Sequence, residues 1–446
     1  MTRLELLAPA RDLECAIAAI DHGADAVYIG GPSFSARKAA SNPMAHIERL
    51  ARHAHRFHAR VYLALNTILF EDELEAARKT AHEAWDAGVD GLIVQDMGLL
   101  ELDLPPVPLI ASTQMHNMDP EHVAFLERVG FSRVILAREL SLKAIQRIRS
   151  AASIELEVFV HGALCVSFSG RCYLSASMGG RSANRGECGQ PCRLPWTLRD
   201  DRGRPLTQGL HLLSLKDLDR SASIRELIHA GVTAFKIEGR LKDAAYVKNI
   251  TAFYRRLIDS AISSESGLGK SSSGHCRTSF TPDPRKTFHR GGTPFFLREG
   301  DDDIACPITP KSTGEEVGTV RSAGASWFTL EAGPGGIEAG DGICYVDPTG
   351  VVRGAKVVGR DGEKILVFGH AEGLVPGVNI MRNHDHRFWR MLKSSTGVRH
   401  VEVSLSFGET PRGFRLRATD EDGITGEVVL DNPKVPARDP EAAMAR

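Results

Sequence analysis

Cys165, Cys172, Cys188 and Cys192 stand in the spacing C-x6-C-x15-C-x3-C, half of the chain's eight cysteines within 28 residues. They follow an apolar, β-branched run at 154–160 that ends in His161-Gly162-Ala163-Leu164-Cys165. A strand therefore delivers the first thiol, and the glycines between the others let a loop fold back on itself. Thiols grouped this way form disulfides, bind zinc or hold an iron–sulfur cluster. Disulfides need an oxidising compartment, yet residues 1–12 are already strand-like and carry Arg3, Glu5 and Arg11, unlike a secretory leader. Structural zinc favours two short knuckles, and only Cys188 and Cys192 are so spaced. Cluster ligands come from longer loops. Spacing alone leaves zinc and cluster both open, while four unrelated packing thiols would not gather in a Gly/Ser/Arg-rich loop.

A thiol nucleophile needs a base beside it. His161 is the one tempting partner for Cys165, but four residues of extended strand separate the two by roughly 13 Å, and no orienting acid is evident. The remaining cysteines stand apart: Cys15, Cys306 and Cys344 read as packing residues and Cys276 as a spare thiol.

A second constellation is Lys236-Ile237-Glu238-Gly239-Arg240. Period-two alternation puts Lys236 and Glu238 on one side of a strand, inward if Ile237 faces outward. Such a pair serves either as a structural ion pair or as site chemistry. From 171 to 204 there are seven arginines against Glu187, Asp200 and Asp201, a local balance of +4. That run is either a solvated loop or a place to hold phosphate.

The elements that must position these groups alternate. Strand-like runs at 4–8, 26–29, 61–65, 91–94, 109–112, 133–137, 155–160 and 234–237 are interleaved with helical patterns at 13–22, 44–58, 72–87, 120–129 and 142–151. A long amphipathic run at 244–262 follows the last strand. This order predicts a TIM-like (β/α)8 barrel over 1–262, with the cysteine loop at 161–196. An open doubly wound sheet would usually bring a Gly-rich dinucleotide turn after the first strand, and LLAPARD is not one. In a barrel, chemistry collects where strands end, which selects Glu5, Asn66, Gln95, Gln114, Arg138, Glu139 and His161 beside Lys236, Glu238 and Arg240. Arg37 and Arg171 join them as candidates to hold a carboxylate or phosphate. The Ser/Gly-rich stretch within 263–285 predicts a flexible linker. Short runs at 293–297, 316–320, 327–331, 342–346 and 364–367 predict a small all-β barrel at 286–395. A hairpin-like region at 396–446 ends in DPEAAMAR, which reads as the start of a helix in a further domain.

The chain has 446 residues, 42% hydrophobic and 25% charged, with a formal net charge of -1. It is long enough for two or three cored domains. Its near-neutral balance argues against a protein coated with positive charge for nonspecific nucleic-acid binding. No apolar run is long enough to span a bilayer, so a cytoplasmic location without membrane partners is expected.

The runs HGALCVSFSGRCYLS and FKIEGRLKDAAYV resemble the signature of the U32 peptidase-like family. LELLAPARD, GADAVYIGGPSFSAR, ASTQMHN, RSANRGECGQPCRLP and FHRGGT continue the resemblance. Within the family they are similar to the branch that hydroxylates a cytidine of 23S rRNA. The resemblance implies oxygen-independent hydroxylation to 5-hydroxycytidine on a [4Fe–4S] cluster, with prephenate as co-substrate. Cys165, Cys172, Cys188 and Cys192 would hold the cluster. Lys236, Glu238, Arg240, His161 and Glu139 would serve catalysis. Arg37, Asn66, Gln95, Gln114, Arg138 and Arg171 would bind substrate. The implied partners are 23S rRNA or a precursor of the large ribosomal subunit, and an electron-transfer partner. Hydroxylation of a tRNA uridine, U32-type (collagenase-like) proteolysis and non-catalytic RNA binding are the competing readings.

Overall fold

In a computed structural model, which describes residues 1–331, 336–395, 397–432, 435, 438, 439 and 441, eight parallel strands close a barrel. They run Thr2–Ala10, Ala26–Gly30, Arg60–Leu65, Gly91–Val94, Leu109–Ala111, Arg133–Ile135, Glu155–Ala163 and Ala234–Ile237. Each pairs with the next, and the eighth pairs with both the seventh and the first. Lys236 thus lies in register with Leu7 on one side and Phe159 on the other. Helices Leu13–Asp21, Met44–His55, Leu74–Asp86, Pro120–Arg128, Leu142–Ala151 and Ala244–Ser264 pack outside, while only a 3-10 turn, Met97–Glu101, joins the fourth and fifth strands. Side-chain caps start four of these six helices, all but Met44–His55 and Leu74–Asp86. Asp12 accepts from Cys15 N at 2.9 Å and Asp243 from Tyr246 N at 2.9 Å.

The main core lies between strands and helices, where residues such as Leu6, Val27, Leu63, Ile237 and Ile250 are fully buried. Inside the barrel a second cluster includes Tyr28, Tyr62, Ile93, Ile135 and Phe159. Beneath it is a layer of charge. Glu5 accepts from Arg133 Nη1 at 2.5 Å and from Tyr62 Oη at 2.9 Å, and Arg133 also meets Glu157 at 3.2 Å. Glu5, expected at a strand end beside the site, is therefore part of this buried plug. It lies mid-strand, in register with Ala234.

Between the seventh and eighth strands the chain makes a long excursion. It carries the cysteine loop, then a hairpin of Trp196–Arg199 with Pro205–Leu210, and then Asp217–Asp219, which runs antiparallel to the end of the seventh strand. Segment 263–285, expected as a flexible linker, is instead tied down. Leu268–Lys270 adds in parallel to the first strand, His275–Arg277 pairs with Val398–His400, and Ser272 and Ser273 are buried. Serine hydroxyls that bond Asp25 and His58 account for the departure from composition.

The second domain is a closed six-stranded antiparallel barrel in the order Glu315–Gly324, Trp327–Leu330, Lys364–Val367, Val352–Asp361, Gly342–Val346, Asn379–His384. The expected strand at 293–297 is not part of it. Phe295 and Phe296 have φ of 53° and 58°, and only Gly292–Thr293 pairs, with Asp217–Leu218 of the first domain. Val403–Thr410, Gly413–Asp420 and Thr425–Asp431 form a three-stranded sheet beyond it. The expected helix start at 439–446 falls almost wholly outside the described residues. Among the described residues no helix is long and apolar enough to cross a membrane.

Candidate active site

The carboxyl ends of the strands open into a cleft of about 850 Å³, mouth included. Lys236, Glu238 and Arg240 all line it. Glu238 accepts from Arg138 Nη2 at 3.1 Å and has Arg37 Nη2 at 3.8 Å. Burial alone would raise the Glu238 carboxyl, but Arg37, Arg138, Arg240 and Lys236 together hold it below the ordinary carboxylate range. Arg138 lies over the Phe159 ring at 3.9 Å. Arg240 Nη1 donates to Ser35 Oγ at 2.5 Å, and burial pushes it down to about 10, helped by Arg37. Lys236 Nζ sits 4.2 Å over the Tyr28 ring and donates to Glu157 Oε1 at 2.7 Å. Burial drives its pKa down, with Glu157 opposing. Four cations thus surround one carboxylate on the cleft wall, an arrangement suited to a small anion with more than one acidic group.

Three of the four clustered cysteines, Cys165, Cys172 and Cys188, face the same cleft. Cys192 lines an outer groove of about 2230 Å³, open solvent included, to which Cys165 and Cys188 also contribute. All four are free thiols. A hydrogen bond with Cys165 holds Cys172 down to about 5, and the same bond, then burial, pushes Cys165 up. Burial raises Cys192. Among the described residues no three His, Cys, Asp or Glu side chains converge into a closed metal site. The donors are nevertheless all thiol, gathered on one loop beside one cleft, and that chemistry suits iron–sulfur or zinc.

Two close approaches seat this loop. Gly170 has φ of 74°, and a Cβ there would lie 1.9 Å from Gln114 O. Gly162 has φ of 108°, and a Cβ would lie 2.4 Å from Glu238 O. Side chains complete the seat. Glu139 accepts from Ser169 N at 2.8 Å and Ser169 Oγ at 3.0 Å. Arg185 bonds both Glu73 oxygens, at 2.9 and 2.6 Å. Arg193 donates to Ser214 Oγ at 2.6 Å and to Leu164 O at 3.1 Å.

Asn66, Gln114, Arg37 and Arg138 line the cleft. Four other sequence candidates do not. Glu139 lies behind the loop it anchors. Gln95 is buried behind Gln114, donating to its carbonyl at 3.3 Å. Arg171 is exposed on the rim. His161 is 1% exposed and turns out toward the Ala244–Ser264 helix, 3.3 Å from Tyr254 Oη. The Cys165–His161 dyad required for thiol proteolysis is not assembled. A register shift between Lys236 and Ile237 moves His161 out of the inward alternation that Phe159 keeps. Sequence reasoning missed Tyr28, Glu157, Phe159 and Phe168. The alternation Glu155-Glu157-Phe159 could have signalled two of them.

A barrel with a cysteine loop between its last two strands defines the class, and the family follows from comparison. The model of peptidase family U32 matches residues 11–305, and the chain belongs to that family. The 23S rRNA 5-hydroxycytidine C2501 synthase of Escherichia coli K12 is 44% identical over 449 residues, covering 99% of this chain and 69% of that protein. The uncharacterized protease MJ0090 of Methanocaldococcus jannaschii is 41% identical over 59% of this chain and 67% of its own length. The tRNA hydroxylation protein P1 of Bacillus subtilis is 36% identical over 57% of this chain and 63% of its own.

Proposed function

We propose that this chain is an oxygen-independent hydroxylase that converts a cytidine of 23S rRNA to 5-hydroxycytidine, with prephenate as co-substrate. The observation that carries the reading is that Lys236, Glu238, Arg240, Arg37 and Arg138 share one cleft with Cys165, Cys172 and Cys188. Likeness to the Escherichia coli enzyme along almost the whole chain supports the substrate.

Replacing C5–H of a cytosine by C5–OH is a two-electron oxidation that side chains alone do not perform, and the hydroxyl oxygen would come from prephenate. Cys165, Cys172, Cys188 and Cys192 would hold a [4Fe–4S] cluster, which when bound supplies the redox step. The chain's own residues do the rest. Arg37, Arg138 and Arg240 take the carboxylates of the co-substrate through charge-assisted hydrogen bonds. Glu238 spaces those cations apart, and Lys236 offers a proton at Nζ at the floor of the cleft. Phe159 and Tyr28 exclude water beneath the reacting ring. His161 and Glu139 act from outside the cleft, the one packing the barrel end and the other anchoring the loop. The target base must reach the cleft unstacked, from 23S rRNA or a precursor of the large subunit, in the cytoplasm, with an electron-transfer partner for the cluster.

Mass spectrometry of 23S rRNA from cells lacking this chain tests the reading. Loss of 5-hydroxycytidine, restored by the parent chain, is expected. Persistence of that nucleotide while a tRNA uridine loses its hydroxyl would move the substrate. No change in any hydroxylated nucleotide would end the hydroxylase reading.

A further inference from the structure

The seven arginines between 171 and 204 separate by what they touch. Arg185 is spent on Glu73, Arg193 on Ser214 and backbone carbonyls, Arg199 on Gly203 O at 2.9 Å and Arg204 on Asp200 at 2.7 Å. Among the described residues the Arg171, Arg181 and Arg202 guanidiniums make no ion pair or hydrogen bond, and all three are exposed. Arg202 sits on the turn of the Trp196–Leu210 hairpin, whereas Arg171 and Arg181 lie in the cysteine loop. Beside these two stand aromatic rings that the fold leaves in solvent, Phe168 at 61% and Tyr173 at 67% exposure. Phe168 lines the inner cleft and Arg181 the outer groove, while Arg171 and Tyr173 flank Cys172.

Unpaired guanidiniums alternating with exposed rings are what a single nucleic-acid strand uses, phosphates on the cations and bases stacked on the rings. A duplex offers no unstacked base to a ring. We propose that the rim Phe168, Arg171, Tyr173 and Arg181 docks an unpaired RNA strand, so that the neighbouring nucleotide passes Phe168 into the cleft. Tyr173 stacks one base, and Arg171 and Arg181 each take a phosphate. This rests on the RNA-hydroxylase reading and names the surface that reading lacks.

The test is fluorescence anisotropy of the full chain with a labelled unpaired RNA of about 12 nucleotides and with the same strand annealed to its complement. Tyr173→Ala should weaken binding of the unpaired strand roughly tenfold or more. The double variant Arg171→Ala/Arg181→Ala should flatten the log–log salt slope by about 1.4, two phosphates' worth. Arg147→Ala, on the barrel flank, should change neither, and unaltered melting temperatures separate binding from folding. Rim variants that bind as the parent does, with the same slope, overturn the proposal. So does a parent chain that binds duplex as tightly as the unpaired strand, or that binds neither. Rim variants that bind normally while cellular 23S rRNA hydroxylation continues sink the rim and leave the hydroxylase reading standing. Rim-dependent binding without any hydroxylated nucleotide supports the rim and sinks that reading.

Discussion

Lys236 Nζ donates to Glu157 Oε1 at 2.7 Å, and the same glutamate accepts from Arg133 Nη1 at 3.2 Å. The lysine on the cleft floor is thus held from below by the charged plug of the barrel. Glu157→Ala leaves two buried cations short of their counter-charge and should cost about 3–5 kcal/mol in urea denaturation. Lys236→Met keeps the volume and leaves Glu157 with Arg133, so it should cost less stability but abolish turnover. Equal stability losses for the two variants would refute this division of roles.

Arg138 combines a bond to Glu238 with stacking on Phe159 and lines the cleft, while its Nε is buried without a partner. Arg138→Ala should raise the KM of the carboxylate co-substrate roughly tenfold to a hundredfold. Arg138→Lys should restore little, since an ammonium neither stacks nor forks. Steady-state kinetics decides it, and an unchanged KM would remove Arg138 from substrate binding.

Gly170→Ala should cost about 2–5 kcal/mol, from the left-handed backbone and the collision with Gln114 O. Gly203 has φ of 77° but open space around a Cβ. Gly203→Ala should therefore cost only about 1–2 kcal/mol. Denaturant midpoints compare the two, and equal costs would mean that the cysteine loop is not seated on that contact.

Burial lowers His161 from its ordinary 6.5 to about 4. The unfolded chain then binds the extra proton between those values, so stability is full above 6.5 and is lost as pH falls toward about 4. The loss reaches about 3 kcal/mol. His161→Asn should be less stable at neutral pH, and its stability should fall less steeply across that window. Parallel pH profiles for parent and variant would contradict the assignment.

The alternation that placed Lys236 and Glu238 inward with Ile237 outward was legible because strand period is a local property. All eight barrel strands were legible for the same reason. His161 broke the pattern through a register shift that only the pairing partner reveals. Glu5 misled because strand ends were judged from apolar runs, whereas the first strand extends to Ala10. The cation ring around Glu238 joins residues 37, 138 and 240, brought together by barrel closure, and no spacing in the chain announces it. The arginine excess of the cysteine loop was visible as charge. Which arginines were spent on structure was not.

Metal and sulfide analysis of the anaerobically purified chain tests most directly the claim that the barrel mouth is a redox site. The expected result is about four iron and four sulfide per chain. Serine at Cys165, Cys172, Cys188 or Cys192 should lower both, whereas Cys276→Ser, whose thiol faces Ile20 O at 3.9 Å, should lower neither. Stoichiometric zinc without sulfide, or cysteines that bind no metal under those conditions, would contradict it.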